Sequence, residues 1–395
     1  MNPDTLFDPF SYETQEDPFA SYARLREEAR AWRSPEHGFW AISRHADVLA
    51  ALRDPVRFSN REGMVLESGF EENAVAVFSI LAMDPPRHDQ ARSLVSKGFT
   101  PRRIAELVDY LRALATREIA TLRDRGSFDF IADYAARIPM HVISEMLGVP
   151  DADRDLLRAL ADQVVHREEG SAEIPPASMQ ASLELRGYFA DWVADAKRRN
   201  RDDLAGTILR AEIEGERLSE EELIGFLFLL VIAGSETTRN LLGSAVYWLW
   251  RTPEQRARVV ADPALVPDWV EETLRFDSPT QAVARVMGED TELGGARLRA
   301  GEKALLLLGS ANRDPRVFDA AHEFRIGRDT SAMLAFGKGT HFCLGANLAR
   351  LEARVCLDEL LRVAPRFELD AAGARRLRST SVHGFAALPL SLDGS

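Results

Sequence analysis

The sequence predicts a mainly α-helical protein with a small β-sheet subdomain, and three observations support this fold class. Helical periodicity covers most of the chain, and one pattern that begins at Ser219 runs for roughly thirty residues. Strand-like alternation is confined to residues 38–42, to 280–310 and to a C-terminal pair that turns at His383. No repeat or long low-complexity tract interrupts the chain. We therefore expect residues 1–395 to form a single domain.

Composition restricts the class of function. The chain has 49 Lys+Arg against 62 Asp+Glu and a net charge of −13, a balance that argues against nucleic-acid binding. Its two cysteines, Cys343 and Cys356, cannot build a disulfide framework, which fits a reducing compartment. The N-terminus lacks the regions of a signal peptide, and the longest apolar run, residues 223–233, is roughly half of what spans a bilayer. We expect a cytoplasmic protein that binds no membrane.

The N-terminal elements are short. Residues 22–30 read as a helix and residues 38–42 as a strand. Residues 59–83 mix glycine, serine and acidic residues with several large apolar side chains. Irregular stretches of this length are usually functional, so we expect this one to contribute to a site.

The helix after Ser219 is the clearest element. Ser219 and Glu222 have the spacing of a capping box, and the pattern continues to about Trp250 before Pro253. Its first half is apolar on nearly all sides, so we expect it to cross the middle of the protein. Thr252 and Asp268 have the spacing of N-caps for the next two helices.

The segment at residues 336–345, Phe-Gly-Lys-Gly-Thr-His-Phe-Cys-Leu-Gly, carries the strongest chemical signal. The two glycines before Cys343 permit a tight loop, and Gly345 allows a flat group to approach the backbone. The pattern is helical from Gly345 to about Arg362, which places Cys343 at a helix N-terminus. Such a position lowers the pKa of a thiol and stabilises a thiolate.

Several other interpretations of this segment fail on spacing. A dinucleotide loop would need a glycine where Phe342 stands, and a P-loop would need Ser or Thr after Lys338. A single cysteine without a second one nearby cannot make a structural zinc site. A nucleophilic Cys343–His341 pair stays open.

Residues 336–350 match the pattern Phe-Gly-x-Gly-x-His-x-Cys-x-Gly-x-x-Leu-Ala-Arg, and here the chain resembles the bacterial cytochrome P-450 family of haem-thiolate monooxygenases. The resemblance extends along the chain to a Glu-x-x-Arg motif at Glu272 and Arg275 and to residues 312–315, Asn-Arg-Asp-Pro. It implies the family's fold, with a long central helix over haem b and Cys343 as the axial thiolate ligand of the iron. It also implies that Glu272 and Arg275 form a structural cluster with Arg328.

The resemblance assigns further residues to the haem. Haem carries two carboxylates that need charge-assisted donors when they enter a protein interior. Without the cysteine segment, His88 would read as a surface histidine. The residues implied to bind the cofactor are His88, Arg92, Ala233, Gly234, Arg285, Phe336, His341, Cys343 and Gly345.

Residues 233–238, Ala-Gly-Ser-Glu-Thr-Thr, resemble the family's oxygen-activation segment. Ala233 and Gly234 leave room for a diatomic ligand, and the small and hydroxylated residues predict a local helix distortion that water can enter. Glu236 and Thr237 are implied to be the catalytic pair that passes protons inward. From the local sequence alone, a kinked helix with a solvated Glu236 fits equally. The sequence departs from many relatives in having Met333 where they have His, and Glu236 where Asp is frequent.

The implied reaction uses O2 and two external electrons to oxidise a lipophilic small molecule such as a steroid, terpenoid, polyketide or branched lipid. No flavin or iron–sulfur segment is visible, so by analogy a ferredoxin and its NAD(P)H-dependent reductase supply the electrons to a monomer. Two basic clusters fit a docking surface for that partner. They comprise Arg87, Arg92, Lys97, Arg102 and Arg103, and Arg350 and Arg354.

The substrate pocket is assigned by analogy. We expect it to include the loop at 59–83, the region 165–185 and the segment 280–284, with Gln281 as the polar contact to the substrate. Two alternatives to this function are a haem-thiolate sensor without turnover and a peroxide-driven oxygenase. The implied pocket side chains are Leu229, Ile232, Ala233, Gln281, Val283 and Phe385.

Overall fold

The computed structural model describes residues 6–67, 74–166, 168, 171, 173–199, 204–212, 215 and 217–392. Helices dominate these residues, as the sequence predicts. Parts of the expected pocket segments 59–83 and 165–185 lie outside the described residues. The helices are α1 (Tyr12–Glu16), α2 (Phe19–Glu28), α3 (His45–Leu52), α4 (Ala74–Phe78), α5 (Arg87–Ser96), α6 (Pro101–Glu106), α7 (Val108–Arg123), α8 (Arg137–Leu147), α9 (Asp151–Val165), α10 (Pro176–Arg199), α11 (Leu204–Leu209), α12 (Glu220–Arg251), α13 (Pro253–Ala261), α14 (Val266–Phe276), α15 (Leu308–Ala311) and α16 (Ala346–Val363).

The strands are short and lie in four sheets. The largest has the order β1-β2-β8-β5-β3, in which β2 and β8 are parallel and the other pairs antiparallel. A second sheet has the order β4-β12-β9, and β6–β7 and β10–β11 form two-stranded sheets. The strands are β1 (Ala31–Arg33), β2 (Trp40–Ile42), β3 (Phe58–Ser59), β4 (Ser127–Asp129), β5 (Ala282–Met287), β6 (Thr291–Leu293), β7 (Ala296–Leu298), β8 (Lys303–Leu307), β9 (Phe367–Leu369), β10 (Arg375–Arg376), β11 (Phe385–Ala387) and β12 (Pro389–Leu392).

Helix α12 is the centre of the helical part. The predicted capping box is present, because the Ser219 hydroxyl accepts from the Glu222 backbone N–H and the Glu222 carboxylate accepts from the Ser219 N–H. The helix packs against α4, α8, α9, α10, α14 and α16. Burial on this many sides explains why its first half is apolar nearly all round. Among the described helices, none combines the length and hydropathy needed to cross a bilayer.

One of the two predicted helix starts is confirmed and the other is wrong in detail. Thr252 is the N-cap residue of α13, as predicted, although its hydroxyl donates to the Trp248 carbonyl and makes no cap hydrogen bond to α13. Asp268 instead lies inside the first turn of α14, which begins at Val266 with Leu265 at the N-cap. A carboxylate in the first turn is stabilised by the helix dipole.

The C-terminal strand pair also differs from the prediction. The turn at His383 is present, but β11, which follows it, pairs with β10. The residues just before the turn instead pair with the chain that follows α14, through Gln281 N–H to Ser381 O at 2.8 Å and His383 N–H to Pro279 O at 2.8 Å. A bridge between Thr280 and Val382 continues this pairing.

The Glu-x-x-Arg motif forms a fully buried ion pair. The Arg275 guanidinium donates to both Glu272 oxygens, at 2.8 and 2.7 Å, and Arg328 Nε lies 3.4 Å from Glu272 Oε1, which confirms the predicted third member. Arg275 also donates to the backbone carbonyls of Asn312, Ala321 and Glu323. These neutral acceptors satisfy the remaining N–H groups of a charge that could not otherwise be buried.

Candidate functional site

The cysteine loop is fixed mainly by backbone geometry. Cys343 N–H donates to Phe336 O at 2.9 Å, which closes the segment into a loop. Gly337 and Gly339 have φ of +67° and +72°, values that glycine adopts without strain. A Cβ on Gly339 would lie 2.6 Å from the Leu52 carbonyl oxygen, so glycine there also lets the loop rest on the end of α3. The loop therefore needs its two glycines for different reasons.

Cys343 lies three residues before the start of α16 and its side chain is exposed. The Gly345 N–H and the cations Arg92 and Arg350 lower the pKa of this thiol, but desolvation by the surrounding protein is larger, and the net pKa is raised. The helix N-terminus therefore acts on this pKa in the predicted direction, through the Gly345 N–H, although desolvation outweighs it in the protein alone. A metal ion bound to the sulfur would add positive charge that favours the thiolate.

Four cationic or donor side chains gather beside the cysteine loop. The rings of His88 and His341 have centroids 4.2 Å apart, and His88 is fully buried. Arg92 donates to Phe342 O at 2.6 Å, and Arg285 is buried on β5. His88 Nε2 has no hydrogen-bond partner among the described residues. This cluster brings together residues from α5, β5 and the cysteine loop, as the sequence-based hypothesis expects.

The electrostatics of this cluster are those of a site that needs an anion. Burial lowers the pKa of Arg285 to about 10, and Asp84 offsets this only in part. Burial and then the nearby His88, Arg285 and Arg92 lower the pKa of His341 to about 3. The Met83 backbone faces the His341 ring, yet neither ring nitrogen makes a hydrogen bond of good geometry to a described residue. Buried hydrogen-bond donors are nearly always paired, so this cluster is expected to bind a group with hydrogen-bond acceptors.

Helix α12 carries an accessible stripe in its middle. Ala233 is exposed, and Leu229, Ile232, Glu236 and Thr237 are half-buried, whereas Val231, Ser235 and Thr238 on other faces are buried. The spacing of these five residues, i, i+3, i+4, i+7 and i+8, is that of one helix face. The predicted proton-transfer pair and three predicted pocket residues therefore share one face.

Glu236 lies next to a charge network within the protein. Arg239 Nη2 is 3.9 Å from Glu236 Oε1, and Arg239 Nη1 donates to Asp162 Oδ1 of α9 at 2.5 Å. The Thr237 hydroxyl donates to the Ala233 carbonyl at 2.7 Å, one turn earlier. The pairing of Arg239 with α9 is a feature that the sequence did not indicate, because Asp162 is distant along the chain.

One expectation for this segment is corrected. The segment stays α-helical from Glu220 to Arg251, so the expected distortion is absent, since the Thr237 and Ser235 hydroxyls bond to carbonyls one turn back without opening the helix. Gly234 is half-buried, and a Cβ on it would lie 3.8 Å from Ile143 of α8. The space that Ala233 and Gly234 are expected to leave beside the cofactor stays a prediction.

The remaining predicted pocket residues are in the interior. The ring of Phe385 packs 4.9 Å from that of Tyr247 and next to Gly243, at least ten residues, or about 15 Å, along α12 from Ala233. Phe385 is therefore a core residue, and its assignment to the pocket is wrong. Val283 is 7% exposed and belongs to the core cluster of the large sheet.

Gln281 is buried as well. Its Nε2 donates to Ser278 O at 2.7 Å, and its amide lies against Gly309, where any side chain would overlap it. The Oε1 atom has no partner among the described residues. These contacts favour packing of the strand ends over contact with a substrate.

The basic clusters are partly neutralised. Arg350 pairs with Glu271 at 2.5 and 2.9 Å, and Arg87 pairs with Glu222. Phe342, whose carbonyl accepts from Arg92, is 37% exposed. Sequence reasoning missed this exposed aromatic residue because its position in the motif is variable.

Comparisons with known proteins agree with this geometry. The family model for cytochrome P450 matches residues 179–389. A relative from Mycobacterium tuberculosis named "Putative cytochrome P450 123" is 50% identical over 394 residues, which is 99% of this chain and 98% of the relative. The vitamin D(3) 25-hydroxylase of Pseudonocardia autotrophica is 38% identical over 98% of this chain and 96% of its own. The structure of CYP109E1 from Bacillus megaterium in complex with testosterone has a TM-score of 0.90 and 31% identity, with 97% of this chain and all of that chain covered (100%). The chain therefore belongs to the cytochrome P450 family, whose members are monooxygenases that hold haem through a cysteine thiolate.

Proposed function

We propose that this protein hydroxylates a lipophilic small molecule, with Cys343 as the iron ligand and with electrons from a separate ferredoxin. The observation that carries the proposal is the set of buried donors beside an accessible cysteine. Arg92 and Arg285 present positive charge, and His88 Nε2 and both ring nitrogens of His341 are buried without a hydrogen-bond partner among the described residues. Two propionates are the acceptors that such a set fits.

The loop geometry fits haem as well. A Cβ at Gly345 would meet no atom within 4 Å, so the protein itself leaves open space beside this glycine. A flat group such as haem could lie against the backbone in that space. Phe336 stacks under the Arg350 guanidinium at 4.4 Å and helps to fix the loop. When bound through the Cys343 thiolate, haem supplies the iron centre that binds and activates O2.

The accessible stripe of α12 supports the roles of the protein's own residues. Leu229, Ile232 and Ala233 offer an apolar surface that positions a substrate and excludes water. Glu236 and Thr237 are adjacent on the same face and hold a carboxylate and a hydroxyl where protons can be passed inward. We propose that this face and the Cys343 loop would both line the haem site, with Cys343 holding the iron and the α12 face receiving O2 and substrate.

The substrate class follows from the stripe and from the relatives. Apolar side chains with one acid–alcohol pair suit a large lipophilic molecule such as a steroid or a branched lipid. A vitamin D(3) hydroxylase and a testosterone-bound structure stand among the similar proteins. We propose a cytoplasmic, monomeric, single-domain enzyme of this type.

The electron partner is proposed from the surface beside the cysteine. Phe342 is exposed next to Arg92, and Lys97 and Arg354 lie on the two flanking helices without a carboxylate partner among the described residues. An apolar centre with a cationic rim suits an acidic ferredoxin.

The test has two stages. The reduced, CO-bound protein should show the red-shifted Soret band of thiolate ligation. With ferredoxin, reductase and NADPH, testosterone as a probe should acquire one oxygen atom from labelled O2. Turnover with hydrogen peroxide but not with NADPH would identify a peroxide-driven oxygenase. A thiolate spectrum without turnover of steroid or fatty-acid probes under either condition would favour a sensor.

A further inference from the structure

A fully buried carboxylate lies at the end of α14. Asp277 accepts from His383 Nδ1 at 2.6 Å, from Trp248 Nε1 at 2.7 Å and from Ser244 Oγ at 3.1 Å. Arg376 Nη1 is 3.7 Å away. These donors keep the pKa of Asp277 well below its usual range despite burial. The carboxylate therefore ties α12 to the C-terminal turn through a permanent charge.

The segment that follows Asp277 pairs with the segment that ends at His383. Residues 278–282 and 379–383 form a short ribbon, with the Thr280–Val382 bridge at its centre and both of these residues half-buried. His383 thus fixes the ribbon twice, by its side chain to Asp277 and by its backbone N–H to Pro279 O.

The position of the ribbon relates it to the site. Next to it, Gly384 lies so close to Asn240 that any side chain there would overlap the amide, and Asn240 is one turn beyond Thr237 on α12. At its other end the chain continues through β5 to Arg285 in the donor cluster. The ribbon therefore runs between the proton-transfer residues and the proposed propionate donors.

We propose that the Asp277–His383 pair is a positioning device that sets the ribbon, and with it one wall of the substrate pocket, relative to α12. This inference rests on the proposed function, because it assumes a substrate above the haem. His383 does not touch the reacting atoms. Its role is to hold the Thr280–Val382 bridge at the distance from α12 that selects which ligands fit.

The test compares two nitrogen ligands of the haem iron in the intact haem protein. If the ribbon forms a wall of the pocket, the phenyl group of 4-phenylimidazole would contact it and the smaller imidazole would not, so the ratio of the two Kd values would report the wall. His383→Leu should raise the ratio of the 4-phenylimidazole Kd to the imidazole Kd by about fivefold, because a charge-assisted hydrogen bond is lost. His383→Asn, which keeps a donor near the Nδ1 position, should stay within about twofold of the native ratio.

Controls separate this role from general stability. Trp248→Phe removes a donor from the same carboxylate but leaves the ribbon attached, so its ratio should not change. His322→Ala alters an exposed histidine and should behave as the native protein. If His383→Leu does not retain haem, His383→Gln is measured in its place, with the same increase expected because its amide lies near the Nε2 position and leaves the Nδ1 position without a donor. An unchanged ratio in the leucine or glutamine variant, or an equal rise in Trp248→Phe, would overturn the proposal. Native protein that binds both azoles without turnover would instead contradict the proposed function alone.

Discussion

The cysteine loop and the accessible stripe of α12 are held in different ways. The conformation of the loop is determined by contacts among its own ten residues, namely the hydrogen bond from Cys343 N–H to Phe336 O and two glycines with positive φ. The stripe is one face of α12, and other residues of this helix are held by α8, α9 and the C-terminal turn, through Ile143, Asp162 and Gly384. Changes in the loop should therefore act on the iron ligand in an all-or-none manner, whereas changes around the stripe should act by degrees.

The largest effect is expected at the ligand itself. Cys343→Ala removes the only thiol of the loop, so the reduced, CO-bound protein should lose the red-shifted Soret band completely and show no turnover. Cys356→Ala is the matched control, because that thiol is buried within α16. The spectrum with carbon monoxide measures both. A retained thiolate band in Cys343→Ala would contradict the assignment of the ligand.

The loop glycines offer the next test. Gly339→Ala combines a positive φ with an overlap on the Leu52 carbonyl and should cost about 2–4 kcal/mol of stability. Gly337→Ala has the same φ but open space, with its nearest atom 3.8 Å away, and should cost only about 1–2 kcal/mol. Urea unfolding, followed by the thiolate band, measures the difference. Equal losses would show that contact with α3 does not constrain the loop.

On the stripe, Thr237→Val should leave the thiolate spectrum intact while product formed per NADPH falls about tenfold. Valine keeps the volume and removes the hydroxyl that can pass a proton. Thr238→Val is the control, because Thr238 is buried on another face of α12. Measuring peroxide release beside product separates lost coupling from lost binding. A similar fall in both variants would indicate a helix defect instead of a lost proton donor.

The same comparison explains what the sequence could predict. The capping box at Ser219, the Glu272–Arg275 pair and the cysteine loop depend on residues a few positions apart, so spacing determines them. The orientation of Gly234 toward Ile143 and the packing of Phe385 on Tyr247 depend on how distant elements meet. The Asp277–His383 pair joins residues 106 positions apart and leaves no local pattern. The resemblance predicts which segments line the pocket, but it could not say that Phe385 and Gln281 have their contacts inside the protein.

The smallest effect is expected at Gln281, where the structure sharpens the prediction from sequence. If Gln281 contacted an oxygenated substrate, Gln281→Leu would weaken binding of testosterone about tenfold or more, as loss of a buried hydrogen bond does. Its amide instead donates to Ser278 O and rests on Gly309, so leucine should change the Kd by less than about twofold and cost about 1 kcal/mol of stability. Spin-state titration gives the Kd for testosterone, and urea unfolding gives the change in stability.

Leu229→Ala, which shortens a side chain on the accessible stripe, should weaken binding more than Gln281→Leu does, because it removes apolar contact at the substrate. A larger loss of binding in Gln281→Leu than in Leu229→Ala would show that Gln281 contacts the substrate and that the pocket extends toward β5.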